Sequence, residues 1–423
     1  MGPGRRPPRQ RTDDKPPHAP ATRQAVKGSH NPARYDGAQL ILPNFLEAAL
    51  EAQHPWIYRD HVPRDLSLPS GTWLRIRAGK ALGWALWDAQ STLALRCFSV
   101  ERQPDAAWVH SRVKEALALR RLWLTPQTNA YRLLYGEGDG IPGITVDVYG
   151  DYAVVISYAE SLDALVPWVK EALVAELAPK GILDRRSTRE AGASLDVLAG
   201  NRPPKDSVIL ENGLRYYADL ESGQKSGLFL DQRDNRQTLA RFVGQGSLLN
   251  LFCYTGGFSV VAAKRGAAQV TSVDRAEPAV TRARDNFDLN GLDANQHEFV
   301  VADCYEYLAQ AIERQQLFDV VMCDPPSLAR NRSQLDAAIR AYTLLNARGM
   351  RCTRPGGFYG AASCTAQVSP EAFRQLLGEA ARRAGCRLQI VHEAGHALDH
   401  PHFAAHPEGR YLKFIVGRVL ERC

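Results

Sequence analysis

Apolar positions change their rhythm twice along this chain. From about residue 205 onward, short apolar runs alternate with segments whose apolar residues recur at helical spacing. "GSLLNLF" precedes "GFSVVAAKRG", "QVTSVD" precedes "EPAVTRARDNFDLNG", and "EFVVAD" precedes "CYEYLAQAIERQ". "FDVVMCD", "GGFYGAAS", "RLQIVHE" and "RYLKFIVGRVL" continue the series of strands. Alternation on this scale predicts a mostly parallel sheet with helices on both faces. Between 38 and 103 the pattern is one of short strands and turns: "GTWLRIRAG", "ALGWALWD" and "TLALRCFSV". That predicts a small β-barrel, with Arg75, Arg77, Lys80 and Arg96 on its surface. Residues 104–204 mix the two rhythms. "DAAWVHSRVKEALALRRLWL" reads as a helix and "RLLYGEGDGIPGITVDVYGDYAVVISY" as strands joined by glycine turns, so a central α+β unit is expected. Residues 1–37 are rich in proline and arginine and too poor in large apolar groups to offset ordering entropy, and are expected to be disordered.

A chain of 423 residues exceeds a single ordinary core, which agrees with this division. The formal charge of +6 changes the picture only at one end. Residues 1–35 hold eight Lys/Arg and two Asp, so the remainder carries equal numbers of basic and acidic groups. A basic tail supplies salt-dependent attraction to nucleic acid or merely solubilises, and composition alone does not choose between them. No apolar run is long enough for a bilayer and no apolar signal core opens the chain, so a cytoplasmic protein is expected. Eight cysteines without a CxxC pair argue for free thiols rather than a zinc finger or a disulfide framework.

Ligands of such sheets bind beyond the carboxyl ends of the strands. Asp274, Asp303 and Asp324 stand at three successive strand ends. The loop "CYTGGFS" (253–259) lacks the spacing that cradles a dinucleotide phosphate. Its glycines allow close backbone approach, and Asp274 is placed to accept ribose hydroxyls, which points to a nucleoside such as S-adenosylmethionine. In "CDPPSLAR" (323–330), Pro325 and Pro326 stiffen a ledge on which a flat base can rest while Asp324 meets its polar edge. Cys364 ends the neighbouring strand. A thiolate there could add to carbon-6 of a cytosine and make carbon-5 nucleophilic. The competing reading is a small buried thiol. Cys253 and Cys323 flank the same site and are weaker candidates, Cys323 because it should point into the sheet.

Taken together, "GLFLDQRDNR" (227–236), "NLFCYTGGFSV" (250–260), "DPPSLA" (324–329) and "SCT" (363–365) resemble the bacterial class I S-adenosylmethionine-dependent 23S ribosomal RNA methyltransferases of the cytosine-5 type. "HPWIYRD" (54–60) and the barrel resemble that family's N-terminal PUA RNA-binding domain, and "YGEGDGIPGITVDVYG" (135–150) its middle domain. The resemblance implies a Rossmann-like methyltransferase sheet over 205–423, a central α+β domain over 104–204 and a PUA-like barrel over 38–103. It implies Cys364 as nucleophile and Asp324 as the base-edge contact. It places Phe229, Asp231, Asn250, Phe252, Tyr254, Gly256, Asp274 and Asp303 around the cofactor, and Arg233, Pro325, Pro326 and Ser327 toward the RNA. It implies ribosomal RNA as partner, while exposed strand edges would allow a homodimer. Two departures stand out: Thr365-Ala366 follows the cysteine where the family has a small residue and glycine, and Leu328 stands where an aromatic residue is common. Methylation of a guanine nitrogen is therefore the alternative.

One segment competes from another class. "VHEAGHALDHPHFAAHPEGRY" (391–411) contains H-E-x-x-H at His392, Glu393 and His396, with a further histidine at 402. That is close to the signature of a zinc-dependent hydrolase. It follows a strand-like run, and Gly395 and Pro401 leave little helix to align the ligands, so it ranks below the methyltransferase reading.

Overall fold

The computed structural model describes residues 33–99, 101–186, 195–220, 228–329 and 332–421. Most of the N-terminal basic tail lies outside them. Arg34–Tyr35, counted above with the tail, already forms a strand against Gln39–Ile41.

Six strands between 34 and 99 form the first sheet, whose alternating residues bury Leu40, Ile76, Ala85 and Leu95. Arg75 lies over the Trp84 ring and Lys80 is exposed. Arg96 corrects the surface expectation: it is 2% exposed and reaches Asp88 and Ser161. A buried guanidinium persists only with such partners, because desolvation is otherwise prohibitive. A second, five-stranded sheet spans 130–200 and packs with the helices Ala106–Arg121 and Val166–Leu177. Asp105 caps the first helix by accepting from Trp108 N–H. The hairpin Ser207–Glu211/Leu214–Ala218 then sends Ile209 and Tyr216 into the C-terminal core.

The C-terminal sheet has seven strands: β1 (Ser247–Leu251), β2 (Gln269–Asp274), β3 (Glu298–Val301), β4 (Phe318–Cys323), β5 (Thr353–Ser363), β6 (Cys386–Ala394) and β7 (Lys413–Glu421). Their order is β3-β2-β1-β4-β5-β7-β6. The first five run parallel, and β7 returns antiparallel between β5 and β6. Val, Leu and Met fill β1 and β4 because helices cover both faces there. The strand order reverses between β1 and β4, and a crevice opens at such a switch point. Register aligns the strand ends: Leu251 lies opposite Val273 and Cys323, and Cys323 lies opposite Ala361. Every residue that follows these strands therefore meets at one edge.

Among the described residues, no helix is long and apolar enough to cross a membrane.

Candidate active site

The cofactor half is built on a strained loop after β1. Phe252 (φ 57°) and Tyr254 (φ 49°) adopt left-handed backbone without being glycine. Residues held this way cost of order 1–3 kcal/mol each and persist where the surroundings dictate them. The dictating contacts are visible. Phe252 N–H approaches the Cys304 sulfur at 3.3 Å, and Tyr254 N–H donates to Asp274 Oδ2 at 3.0 Å. Gly256 (φ 78°) must be glycine on two grounds, since an added Cβ would lie 2.9 Å from the Ala283 Cβ. The other Asp274 oxygen accepts from Ala276 N–H at 3.0 Å, so the carboxylate is fixed while each oxygen keeps a spare lone pair. Asp303 caps the helix Cys304–Glu313 with one oxygen, on Tyr305 and Glu306 N–H. Phe229 packs edge-on against Tyr254 at 5.2 Å.

One expectation for this half changes, and one residue is added. Asn250 is the penultimate residue of β1 and 1% exposed, and its amide donates to Ser259 Oγ at 2.9 Å. It ties β1 to the following helix instead of touching a ligand. Thr255, which sequence reasoning passed over, has a buried hydroxyl with no hydrogen-bond partner in the structure. An orphaned hydroxyl beside strained backbone and a fixed carboxylate suits a ligand that brings hydroxyls and amines. The donor set therefore fits S-adenosylmethionine.

The chemical half lies across the switch point. Asp324 follows β4 and is half-buried, with Oδ2 accepting from Gln232 at 2.9 Å. Pro325 is buried, whereas Pro326 and Ser327 are exposed. Ser327 Oγ lies 3.1 Å from Thr365 Oγ1, which also meets the Tyr342 hydroxyl at 2.7 Å. This bridge joins the proline ledge to the end of β5, where Cys364 sits partly exposed. Its neighbours Cys253, Cys304 and Cys323 are buried. Burial pushes the Cys304 thiol up to about 12 and holds Cys253 and Cys323 above the ordinary thiol range. Of these four cysteines at the edge, Cys364 alone is partly exposed.

Lys413 was not foreseen. It opens β7 opposite Ser363, is 4% exposed, and donates to Thr365 O at 2.6 Å and Tyr411 O at 2.8 Å. Burial lowers it to about 8, opposed by the nearby Cys364 sulfur. The sequence hid it because one of its partners, Thr365, lies 48 residues earlier, just past the end of β5.

The segment 395–412 roofs this edge. Asp231 is buried and accepts from the Tyr411 hydroxyl, and its carbonyl accepts from Ala397 N–H at 3.0 Å. Arg233 corrects the RNA-facing expectation. It is 2% exposed, forms a bidentate pair with Asp399 at 2.8 and 3.0 Å, and lies over Trp123. The zinc-hydrolase reading of 392–396 is overturned by geometry. His392 and Glu393 are successive strand residues on opposite faces, Glu393 pairs with Arg374 at 2.7 Å, and His396 Nε2 accepts from Leu412 N–H at 3.1 Å.

Sheet order, strained loop and aligned acids define an S-adenosylmethionine-dependent methyltransferase. The family model of that description matches residues 172–408, and a PUA-like domain model matches 40–100. The comparison with known proteins carries the assignment further: this chain belongs to the family of ribosomal RNA large subunit methyltransferase I. It is 35% identical over 389 residues to the member from Shewanella denitrificans, covering 88% of this chain and 97% of the relative. With the Klebsiella pneumoniae member it shares 34% over 398 residues, covering 90% and 98%. Among solved structures, a SAM-dependent methyltransferase from Streptococcus mutans has the same fold (TM-score 0.80, 23% identity, 90% of this chain and 100% of that one). So does a methyltransferase solved with S-adenosylhomocysteine (TM-score 0.82, 24% identity, with the same coverage of both chains).

Proposed function

We propose that this protein methylates carbon-5 of a cytosine in large-subunit ribosomal RNA through an adduct on Cys364. The observation that carries the reading is a partly exposed cysteine at the end of β5, whose neighbour Thr365 is bridged to Ser327 of the ledge that begins with Asp324. The relatives' names supply the RNA class, and the PUA-like domain suits an RNA partner.

The methyl donor, when bound, supplies an electrophilic methyl group. Tyr254, Gly256, Asp274 and Asp303 hold it, and Phe229 walls the loop. Pro325, Pro326 and Ser327 support the flipped base. The Cys364 thiolate forms a bond to carbon-6, and a proton held between Asp324 and ring nitrogen N3 neutralises the charge that builds there. Carbon-5 takes the methyl, a base removes the carbon-5 proton, and the sulfur–carbon bond breaks. The adduct costs less when the thiolate lies near a cation, a role that suits Lys413. Arg233 acts by positioning the 395–412 roof through Asp399.

Mass identification of the nucleoside from large-subunit RNA treated with enzyme and labelled donor tests the function. 5-Methylcytidine is the result expected, and a methylated guanine would replace this reading with the alternative. Lys413→Met is expected to lower kcat/KM by roughly 10–100-fold. It should also move the acidic limb of the pH–rate profile upward, because the thiolate loses its cation. An unshifted limb would leave Lys413 a purely structural role.

We propose the cytoplasm as the site of action, domain boundaries at 38, 104 and 205, and a homodimer. The last rests on β6, an edge strand with Ile390 39% and Val391 45% exposed. A single-chain mass by light scattering at micromolar concentration counts against it.

A further inference from the structure

A cluster of ligating groups lies away from the methyl-transfer edge, where the PUA-like domain meets the roof segment. It consists of His54, just before the strand Trp56–Tyr58, with His406 and Glu408 from the roof. One ligand atom from each falls within 4.8 Å of the other two. His54 Nε2 lies 3.6 Å and His406 Nε2 3.9 Å from Glu408 Oε2. Neither distance is a hydrogen bond.

Burial makes these separations informative. His406 is 1% exposed, and neither of its ring nitrogens has a hydrogen-bond partner. Glu408 Oε2 is buried without one as well. A buried imidazole and carboxylate left this way are destabilising unless a ligand satisfies them. Packing holds His406 in place regardless, its ring edge-on to Trp56 at 4.5 Å and to His54 at 5.4 Å. His54 Nδ1 sits 3.2 Å from the Trp56 carbonyl. Trp56 N–H lies 3.3 Å from the same Nδ1, so these contacts are compatible with either tautomer; in the one that donates to the carbonyl, Nε2 is left as a lone pair facing the cluster, the outer contact usual for a metal-bound histidine. Trp56 is fixed in turn by Glu137 at 2.8 Å.

We propose that His54, His406 and Glu408 bind a divalent transition-metal ion, zinc being the best fit, which clamps the PUA-like domain to the roof of the active site. Two imidazoles and one carboxylate are a borderline donor set suited to zinc, with water completing the tetrahedron. Ligand atoms around tetrahedral zinc stand roughly 3.4 Å apart. The two separations to Glu408 exceed that value by only a few tenths of an ångström. The histidine-rich segment thus contributes to a metal site, but through His406 and Glu408 and not through its H-E-x-x-H. The ion's role is structural: Glu408 lies three residues before Tyr411 and five before Lys413, so the clamp sets the RNA-binding domain against the catalytic edge.

The test uses the full-length protein, stripped with chelator and titrated with zinc and with cobalt. One equivalent of zinc per chain, a rise in unfolding temperature and the visible d–d bands of tetrahedral cobalt are expected. His54→Gln and Glu408→Gln should each weaken zinc binding roughly 100-fold or more while leaving the metal-free unfolding temperature unchanged. The His402→Gln control should bind as wild type does. Absence of a stoichiometric site, or equal binding by wild type and both ligand variants, overturns the proposal. The readout is independent of methyl transfer, so it stands or falls separately from the proposed reaction.

Discussion

Cys364→Ser is expected to lower methyl transfer by on the order of 10⁴-fold or more, the scale on which removing the nucleophile of a covalent mechanism acts. Donor affinity, measured by calorimetry, should stay within about twofold, because the cofactor loop and Asp274 lie on β1 and β2. Stability should change by no more than about 0.5 kcal/mol, since Cys364 is partly exposed and outside the packed core. This combination separates the proposed nucleophile from a merely buried thiol. A thiol that only packs would show the reverse, a loss of stability with turnover kept. Retained turnover would also favour a guanine nitrogen as the acceptor, which needs no adduct.

The second large effect is structural. Asp399→Ala should destabilise the fold by about 3–5 kcal/mol, the cost of breaking a buried ion pair from one side. In an unfolding scan this is a fall of about 10 °C. Asp399 is fully buried and serves several partners at once. It pairs with Arg233, contacts His400 Nδ1 at 2.8 Å and accepts from Arg132 N–H at 2.9 Å, while its carbonyl accepts from Arg120 at 2.9 Å. Arg120 and Arg132 belong to the central domain, so one carboxylate joins two domains to the roof. Burial alone would raise this carboxyl, but His400 and Arg233 outweigh it and hold it far below the ordinary 3.8. A depressed carboxyl contributes stability that is present above its unfolded value and lost as pH falls. The gap between wild type and variant should thus be complete at neutral pH and begin to shrink only below about pH 4. In the double variant with Arg233→Met the losses should be less than additive. Additive losses would mean that the two residues do not act as a pair.

The sheet was legible because its parallel strands are buried on both faces and read as short apolar runs between helices. The edge acids were legible because each stands directly after such a run. What failed was long-range pairing. Arg233 sits in a motif that invites a ligand contact, and its partner Asp399 is 166 residues away. Arg96 alternates along a strand as a surface residue would, and Ser161, from the central domain, helps to bury it. Asn250 lies one residue before the end of β1, still within the stretch that helices cover on both faces, and its partner Ser259 stands on the following helix. Lys413 was hidden for a related reason: antiparallel β7 brings its first residue, not its last, to the catalytic edge.

The most direct test of the central claim traps the adduct itself. RNA carrying 5-fluorocytidine at the target leaves no carbon-5 proton to remove after methylation, so the sulfur–carbon bond cannot break. Wild-type protein with methyl donor should form a denaturant-stable protein–RNA species whose peptide mass locates the link at Cys364, and Cys364→Ser should form none. A wild-type enzyme that methylates unmodified RNA but gives no stable species, or a link at another residue, would contradict the account.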